Sequence, residues 1–454
     1  MNLTQKKRLN MSQLIKKKNE IKLMAQYTLL HGDVIEQLKT LDDESVDAIL
    51  TDPPYNLTFM GRKWDAKGGP QEFQKWCEDW GRECFRVLKK GGYLLSFGGT
   101  RTYHRMTSGL EDAGFEIRDC LVWLYGTGFP KSLNIGKAVD KHLGNERTVV
   151  GLNPNHRTSD ALFELGFQGG KGDGMVTKGH SDWEGYGTTL KPANEPIVMA
   201  QKPKEKTFVH NVLKYGVGAL NIDASRVPTN PEVDDMLRVV NRKNRDEKSE
   251  WGKNSGFKNE TNKLTGVPAE GRFPANVVHD GSSVVLDEFP DSDGAGGSMP
   301  KIKVTGFGAF GNGEVDYQAG ERTPFNSGSG SSARFFYCAK PTKKEKNAGL
   351  KTILRDGKEL KPASNYKYYD ELDSRLNSHP TVKPVKLISW LLGLICPDAK
   401  AMGRQPLVLD CFVGSGTTGI AAQRLGVDFI GIDANEEYLE IAKARIEYER
   451  DNHE

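Results

Sequence analysis

Asp52, Pro53, Pro54 and Tyr55 follow directly on a mostly apolar run, Val46 to Leu50, that reads as a buried strand. A strand ending in Asp-Pro-Pro-aromatic must turn rigidly, because neither proline has a backbone N–H to donate and each restricts the residue before it. The turn offers two acceptors, the Asp52 carboxylate and the Pro53 carbonyl. Beside them stands a Tyr55 ring that can lie flat on a heterocycle. Such a set suits an exocyclic amino group, which brings two N–H donors on a stackable base. The ordinary alternative is a surface turn that happens to hold two prolines.

Far downstream, the apolar stretch Pro406 to Leu409 runs into Asp410-Cys411-Phe412-Val413-Gly414-Ser415-Gly416-Thr417-Thr418-Gly419 and then a helical pattern through Ile420, Ala421, Ala422 and Leu425. Gly414 and Gly416 permit a tight strand-to-helix turn and close approach of a ligand to a helix N-terminus. A nucleotide-type cofactor is the expected occupant. The next strand ends in Asp433, about 20 residues on, where an acid meets a ribose in dinucleotide-type folds. Taken by itself the glycine turn is equally compatible with NAD. The leading Asp410, the Phe-x-Gly-x-Gly form and the distant Asp-Pro-Pro-Tyr turn are together far more specific.

The elements around these turns alternate. A strand at 26–30 leads to Asp33, a short helix follows near 35–38, and then comes the strand before Asp52. A helix over about 71–89 carries Phe73, Trp76, Trp80, Phe85 and Leu88 on one stripe and should end at Gly91-Gly92 as a C-cap. Strands at 93–97, 117–124 and 195–200 complete the pattern, with a helix between the first two. Strands and helices in alternation predict a doubly wound α/β sheet. Two stretches break it, 135–190 and 226–335, with Gly-rich runs and charged segments such as Arg238 to Arg245.

At 454 residues the chain can bury a large core, yet hydrophobic residues make up only 37% and glycines number 50, so loop-rich territory must accompany that core. The net charge of +3 is unevenly spread. Lys6, Lys7, Arg8, Lys16, Lys17, Lys18 and Lys22 against Glu20 give residues 1–25 a charge of +6, which leaves −3 for the rest. A surface that meets a polyanion must therefore come from local clustering. Met24 stands directly before the first strand and is expected as an alternative start. No apolar stretch approaches a membrane span, and the basic N-terminus lacks the apolar region of a secretory signal. The six cysteines show neither Cys-x-x-Cys pairing nor histidines at metal spacing, so reduced thiols and no metal are expected.

With both turns in view, the sequence resembles the S-adenosylmethionine-dependent DNA amino-methyltransferases, in the permuted class (β) whose catalytic half precedes the cofactor half. The resemblance covers roughly residues 25–135 and 375–450, with looser similarity at 190–225 and 330–345. It implies a Rossmann-like α/β methyltransferase fold, circularly permuted, with a large inserted target-recognition region. Asp52, Pro53, Pro54 and Tyr55 match the catalytic motif. Asp410, Phe412, Gly414, Gly416 and Thr417 match the methionine-binding loop, Asp433 the ribose acid, and Asp33 the acid that meets the cofactor's adenine. His379-Pro380-Thr381-Val382-Lys383-Pro384 matches the segment feeding the cofactor half, which implies Thr381 and Lys383 as partners of the methionyl carboxylate.

The resemblance divides the chain into a basic extension (1–24), a catalytic half (25–225, with the insertion near 135–190), a candidate target-recognition region (226–335) and a cofactor-binding half (336–454). Its partners would be double-stranded DNA and S-adenosylmethionine, with no membrane, a homodimer as the assembly to test, and a bacterial or phage-infected cytoplasm as the location. In the family, Asp at the first motif position leans towards N6 of adenine and Ser towards N4 of cytosine, so Asp52 favours adenine. No Pro-Cys dipeptide occurs, which argues against the cysteine nucleophile needed for carbon-5 methylation. The segment Trp123-x-Tyr125-Gly126-x-Gly128 is expected to wall the base pocket, with its two glycines leaving room for a purine. The rival from another class is a DNA-binding protein of the same fold without catalysis. Intact motifs at both ends argue against it.

Overall fold

The computed structural model describes residues 25–57, 63–126, 128, 132–152, 175–228, 271–289, 291–292, 330–338, 343–350, 354–355, 358–359, 377, 379 and 381–452. The first part of the chain supplies β1 (Tyr27–His31), α1 (Val34–Lys39), β2 (Val46–Thr51), α2 (Pro70–Val87), β3 (Leu88–Phe97), α3 (Tyr103–Asp112) and β4 (Glu116–Leu124). The insertion holds α4 (Ile135–Leu143) and a hairpin of β5 (Thr148–Leu152) and β6 (Met175–Lys178). Then come β7 (Asn194–Gln201), α5 (Phe208–Tyr215), β8 (Val277–His279) and β9 (Tyr337–Cys338). The chain closes with α6 (Val385–Ile395), β10 (Leu407–Asp410), α7 (Thr417–Leu425), β11 (Asp428–Asp433) and α8 (Glu436–Asn452).

Nine of these strands form one sheet in the order β1-β11-β10-β2-β3-β7-β4-β8-β9. All pairings are parallel except those of β7, which runs antiparallel to both β3 and β4. The last two long strands of the chain thus fill the gap between the first two, which is the expected Rossmann-like sheet with its halves permuted. Every residue of β2 is buried. Ala48 and Leu50 pack on the face covered by α6 and α7, while Val46 and Ile49 join α1, α2 and α3 on the other. Burial on both faces is why parallel strands read as apolar runs. Asp47 is the charged exception within β2. Its buried carboxylate is met by Lys89 Nζ at 2.7 Å, Arg404 Nη1 at 2.7 Å and the Leu407 N–H at 2.8 Å, tying β2 to β3 and to the approach to β10.

The expected helix at 71–89 ends earlier than its stripe implied. It spans Pro70–Val87, and Leu88 already has extended backbone and pairs with Val46 in the sheet. Gly91-Gly92 is therefore not a C-cap but part of β3. Gly91 has φ +79° and lies so close to Asn211 that a Cβ there would come within 2.2 Å of its Nδ2. The aromatic stripe does face the core: Phe73 and Trp80 are buried, with Trp76 and Phe85 packed at its margin.

The 135–190 insertion is organised by charge. Arg147 is clamped between Asp140 and Glu184 (2.8 Å), while Val149 and Val150 of the hairpin are exposed. Within the 226–335 block, β8 continues the main sheet beside β4, and Val227 bridges to Arg272. The 1–24 extension and most of 226–335 lie outside the described residues.

Candidate active site

Because β2 and β10 are parallel neighbours in register (Val408 beside Ala48, Leu409 beside Ile49), the turns that follow them emerge at the same end of the sheet. Asp433 emerges there too, since β11 lies parallel to β10 and to β1 with His31 beside Asp433. The chain order reverses between β10 and β2, and a crevice at the carboxyl ends of strands at such a point is the expected ligand site. One cleft is lined by Asp33, Asp52, Pro53, Pro54, Tyr55, Thr381, Lys383, Asp410, Phe412, Gly414, Thr417 and Asp433. The structure brings together residues separated by more than three hundred positions.

The Asp52 turn is held from outside. Asp65 accepts the N–H groups of Asn56 and Leu57 at 2.8 and 3.0 Å, and Thr102 Oγ1 donates to the Tyr55 carbonyl at 2.7 Å. Asn56 takes a left-handed φ of 56°, which closes the turn. Thr51, the last residue of β2, donates to Asp410 Oδ1 at 2.7 Å and so joins the two turns directly.

Inside the turn a charged cluster forms. Asp52 accepts from the Tyr55 hydroxyl through Oδ1 at 2.6 Å and from Lys383 Nζ through Oδ2 at 2.5 Å. Glu195 lies 3.2 Å from both the Tyr55 hydroxyl and Lys383 Nζ. Burial works against the Lys383 ammonium, but the Asp52 and Glu195 carboxylates more than offset it, and its pKa lies above the ordinary lysine value. Burial, then the same two acids, push the Tyr55 phenol well up, so it is a neutral donor. Its hydroxyl thus serves Asp52, in addition to the ring face foreseen for a base.

The glycine turn is a cradle. Gly414 (φ +49°) and Gly416 (φ +81°) adopt conformations that suit glycine, and a Cβ would come within 2.6 Å of His379 Nε2 or 2.8 Å of Ala442 Cα. Asp433 accepts the N–H of Gly414 at 2.9 Å and of Asn435 at 2.8 Å. Burial nonetheless raises its pKa. Asp33 caps α1 by accepting from Ile35 and Glu36. Phe412 leans on Trp76 and Trp80, each 5.6 Å away, so α2 positions the loop. Burial lowers the His379 pKa to about 4 and raises that of Asp410 to about 6.

Two sequence expectations change. Lys383, foreseen on the cofactor side, has its ammonium at the catalytic turn between Asp52 and Glu195. Gly126 and Gly128 leave no room beside the pocket: a Cβ would come within 2.4 Å of Ser282 Oγ and 1.7 Å of the Pro192 carbonyl oxygen. Of the neighbouring rings, Trp123 is buried in the core while Tyr125 lines the cleft. Two residues were missed. Glu195 carried no signal beyond an acid before a proline. Arg445, fully buried on α8, donates to Ser415 Oγ at 2.9 Å and Thr417 Oγ1 at 3.3 Å from beneath the glycine loop.

Residues 46–444 match the family model described as DNA methylase. The type II methyltransferase M.HindIII of Haemophilus influenzae is 28% identical over 232 residues, covering 42% of this chain and 64% of that protein. M2.DpnII of Streptococcus pneumoniae is 39% identical over 105 residues, covering 23% and 37%. The chain thus spans less than two thirds of either relative. Among solved structures, the M1.HpyAVI–SAM complex aligns at 15% identity and TM-score 0.35 over 93% of this chain and 99% of that one.

Proposed function

We propose, from the premise that this chain belongs to the DNA methylase family of N6/N4 amino-methyltransferases, that it transfers a methyl group to the exocyclic N6 of adenine in double-stranded DNA. The observation that carries this reading is the meeting of the Asp52 turn and the Gly414 turn in one cleft at the ends of adjacent strands. The family's methyl donor is S-adenosylmethionine. The glycine cradle that a Cβ would fill, and the acids Asp33 and Asp433 at the ends of β1 and β11, fit such a group. Gly414, Phe412, Thr417 and Thr381 would border its methionyl part, Asp433 its ribose and Asp33 its adenine, with Asp410 bracing the loop; Gly416, foreseen in the same role, does not line the cleft and instead lets the turn pass close to Ala442. When bound, it supplies a methyl group already activated on a positive sulfur.

The chain's own task is positioning. An exocyclic amine inside a duplex is out of reach, so the nucleotide must leave the stack. Its lone pair is delocalised into the ring. Asp52 and the Pro53 carbonyl, accepting its two hydrogens, would draw the nitrogen towards a tetrahedral shape and aim the lone pair into the cleft. The nitrogen becomes acidic once methylated, so its proton can pass to Asp52 without a strong base. Asp at the first turn position supports adenine over cytosine. Nucleoside mass spectrometry of DNA treated with the pure protein tests this: N6-methyladenine is expected. N4-methylcytosine alone would overturn the base assignment, and no methylated base on any DNA would overturn the activity.

A further inference from the structure

Lys383 is held more elaborately than an ion pair requires. Its ammonium lies 2.5 Å from Asp52 Oδ2, 3.2 Å from Glu195 Oε2 and 4.8 Å from the centre of the Phe97 ring, and its side chain is only 9% exposed. All four residues line the cleft. An ammonium has three N–H donors. Two go to the acids, and the third has only a 3.4 Å approach to the Tyr55 hydroxyl, weak at that length. That hydroxyl already gives its hydrogen to Asp52. A donor on Lys383 therefore stands directly beside the acceptor on Asp52, in a site read above as taking a flipped amino base.

We propose that Lys383 donates to the ring nitrogen adjacent to the target amine, N1 of adenine or N3 of cytosine, with Glu195 as its positioning residue. Lys383 and Asp52 together then read the N=C–NH2 edge that these two bases share. Guanine and thymine present a carbonyl where Asp52 needs a donor and an N–H where Lys383 needs an acceptor. A site that sets its free ammonium N–H against an N–H and its carboxylate against a carbonyl oxygen rejects them strongly. Glu195 keeps the ammonium against Phe97 once the amine has taken part of Asp52's accepting capacity.

The inference rests on the proposed methylation of an amino base, and its test separates the two. The methylated sequence is identified by long-read sequencing of host DNA. Oligonucleotide duplexes of that sequence then carry adenine or 1-deazaadenine at the target, opposite an abasic site so that pairing strength does not differ. Should the product be N4-methylcytosine, cytosine and 3-deazacytosine take their place. The wild-type protein should lose about tenfold or more in kcat/KM on the deaza base, the loss of one charged hydrogen bond. Lys383→Met should be slower on both yet show the same rate for the two bases. Glu195→Gln should raise KM for DNA, shrink the deaza penalty and leave S-adenosylmethionine affinity unchanged. Equal wild-type rates on the two bases would sink the proposal, even if Lys383→Met does not fold. A tenfold penalty that persists in Lys383→Met would sink it as well. Failure to methylate any unmodified DNA would instead refute the activity.

Discussion

Asp52 spends one carboxylate oxygen on a phenol and the other on an ammonium, so its orientation is fixed before any substrate arrives. Asp52→Ala should lower kcat by about a hundredfold, the scale of a charged hydrogen bond made to the reacting amine. S-adenosylmethionine affinity, measured by calorimetry, should stay within about twofold, because the Asp433 and glycine contacts lie on neighbouring strands. Methylation at the wild-type rate would remove Asp52 from the chemistry. Asp52, Tyr55 and Lys383 were all legible as candidates from residue types, but the place of the Lys383 ammonium was not. Glu195 could not be picked out because its position depends on strand direction. As β7 runs antiparallel, its first residues sit at the carboxyl ends of its neighbours, where the cleft opens.

Two turns and the joint between them act at the scale of elements. The glycine turn starts α7 with Gly416 at φ +81°, pressed against Ala442. Gly416→Asp adds backbone strain of about 1–3 kcal/mol and drives its Cβ against the Ala442 backbone behind the loop, so the turn that borders the proposed methionyl site cannot keep its shape. Calorimetry should show S-adenosylmethionine binding abolished, and wild-type affinity would exclude the loop from the site. At the joint, burial raises the Asp410 pKa to about 6. A carboxylate raised in the folded state contributes stability below its unfolded value, near 4, and that contribution is lost as pH rises through about 6. Asp410→Asn should therefore melt higher than wild type at pH 8, by an amount equivalent to about 2–3 kcal/mol, and the gap should close towards pH 4. His379 has the opposite sign. Its pKa, lowered to about 4, gives stability present above about 6.5 and lost as pH falls through 4. The acid limb of Asp410→Asn should accordingly be steeper than that of wild type. Thermal scans across pH 4–8 would expose a flat difference, which is the outcome that contradicts this account.

Among the described residues the main sheet has nine strands, and the two stretches of sequence that interrupt its alternation differ. Residues 271–289 contribute β8 to the sheet, so the candidate target-recognition block is not wholly separate from the catalytic body. We propose that base-sequence reading belongs to the 226–335 block outside β8. Replacing that block with a relative's, while keeping 271–289, should change the methylated sequence but not the base atom modified. Long-read sequencing of host DNA carrying each chimera is the measurement. An unchanged sequence preference would move recognition to the 135–190 insertion, whose described residues include the Arg147 ion pairs with Asp140 and Glu184, or elsewhere.

Periodicity and turn chemistry are local, and they determined the alternation of strands and helices, the two functional turns and the family resemblance. The end of α2 was misjudged by that same local logic. A stripe can carry on past a helix when the following residue enters a strand, and pairing of Leu88 with Val46 outweighed the glycines as a stop signal. Only the tertiary structure decided what lies across from what. The insertion of β10 and β11 between β1 and β2 brings Asp410 to Thr51, and the antiparallel β7 brings Glu195 to Tyr55. Burial keeps Tyr55 protonated and His379 neutral, and the Asp52 and Glu195 carboxylates keep Lys383 charged against that same burial, because the free energy of a charge is set by surroundings that no stretch of sequence contains.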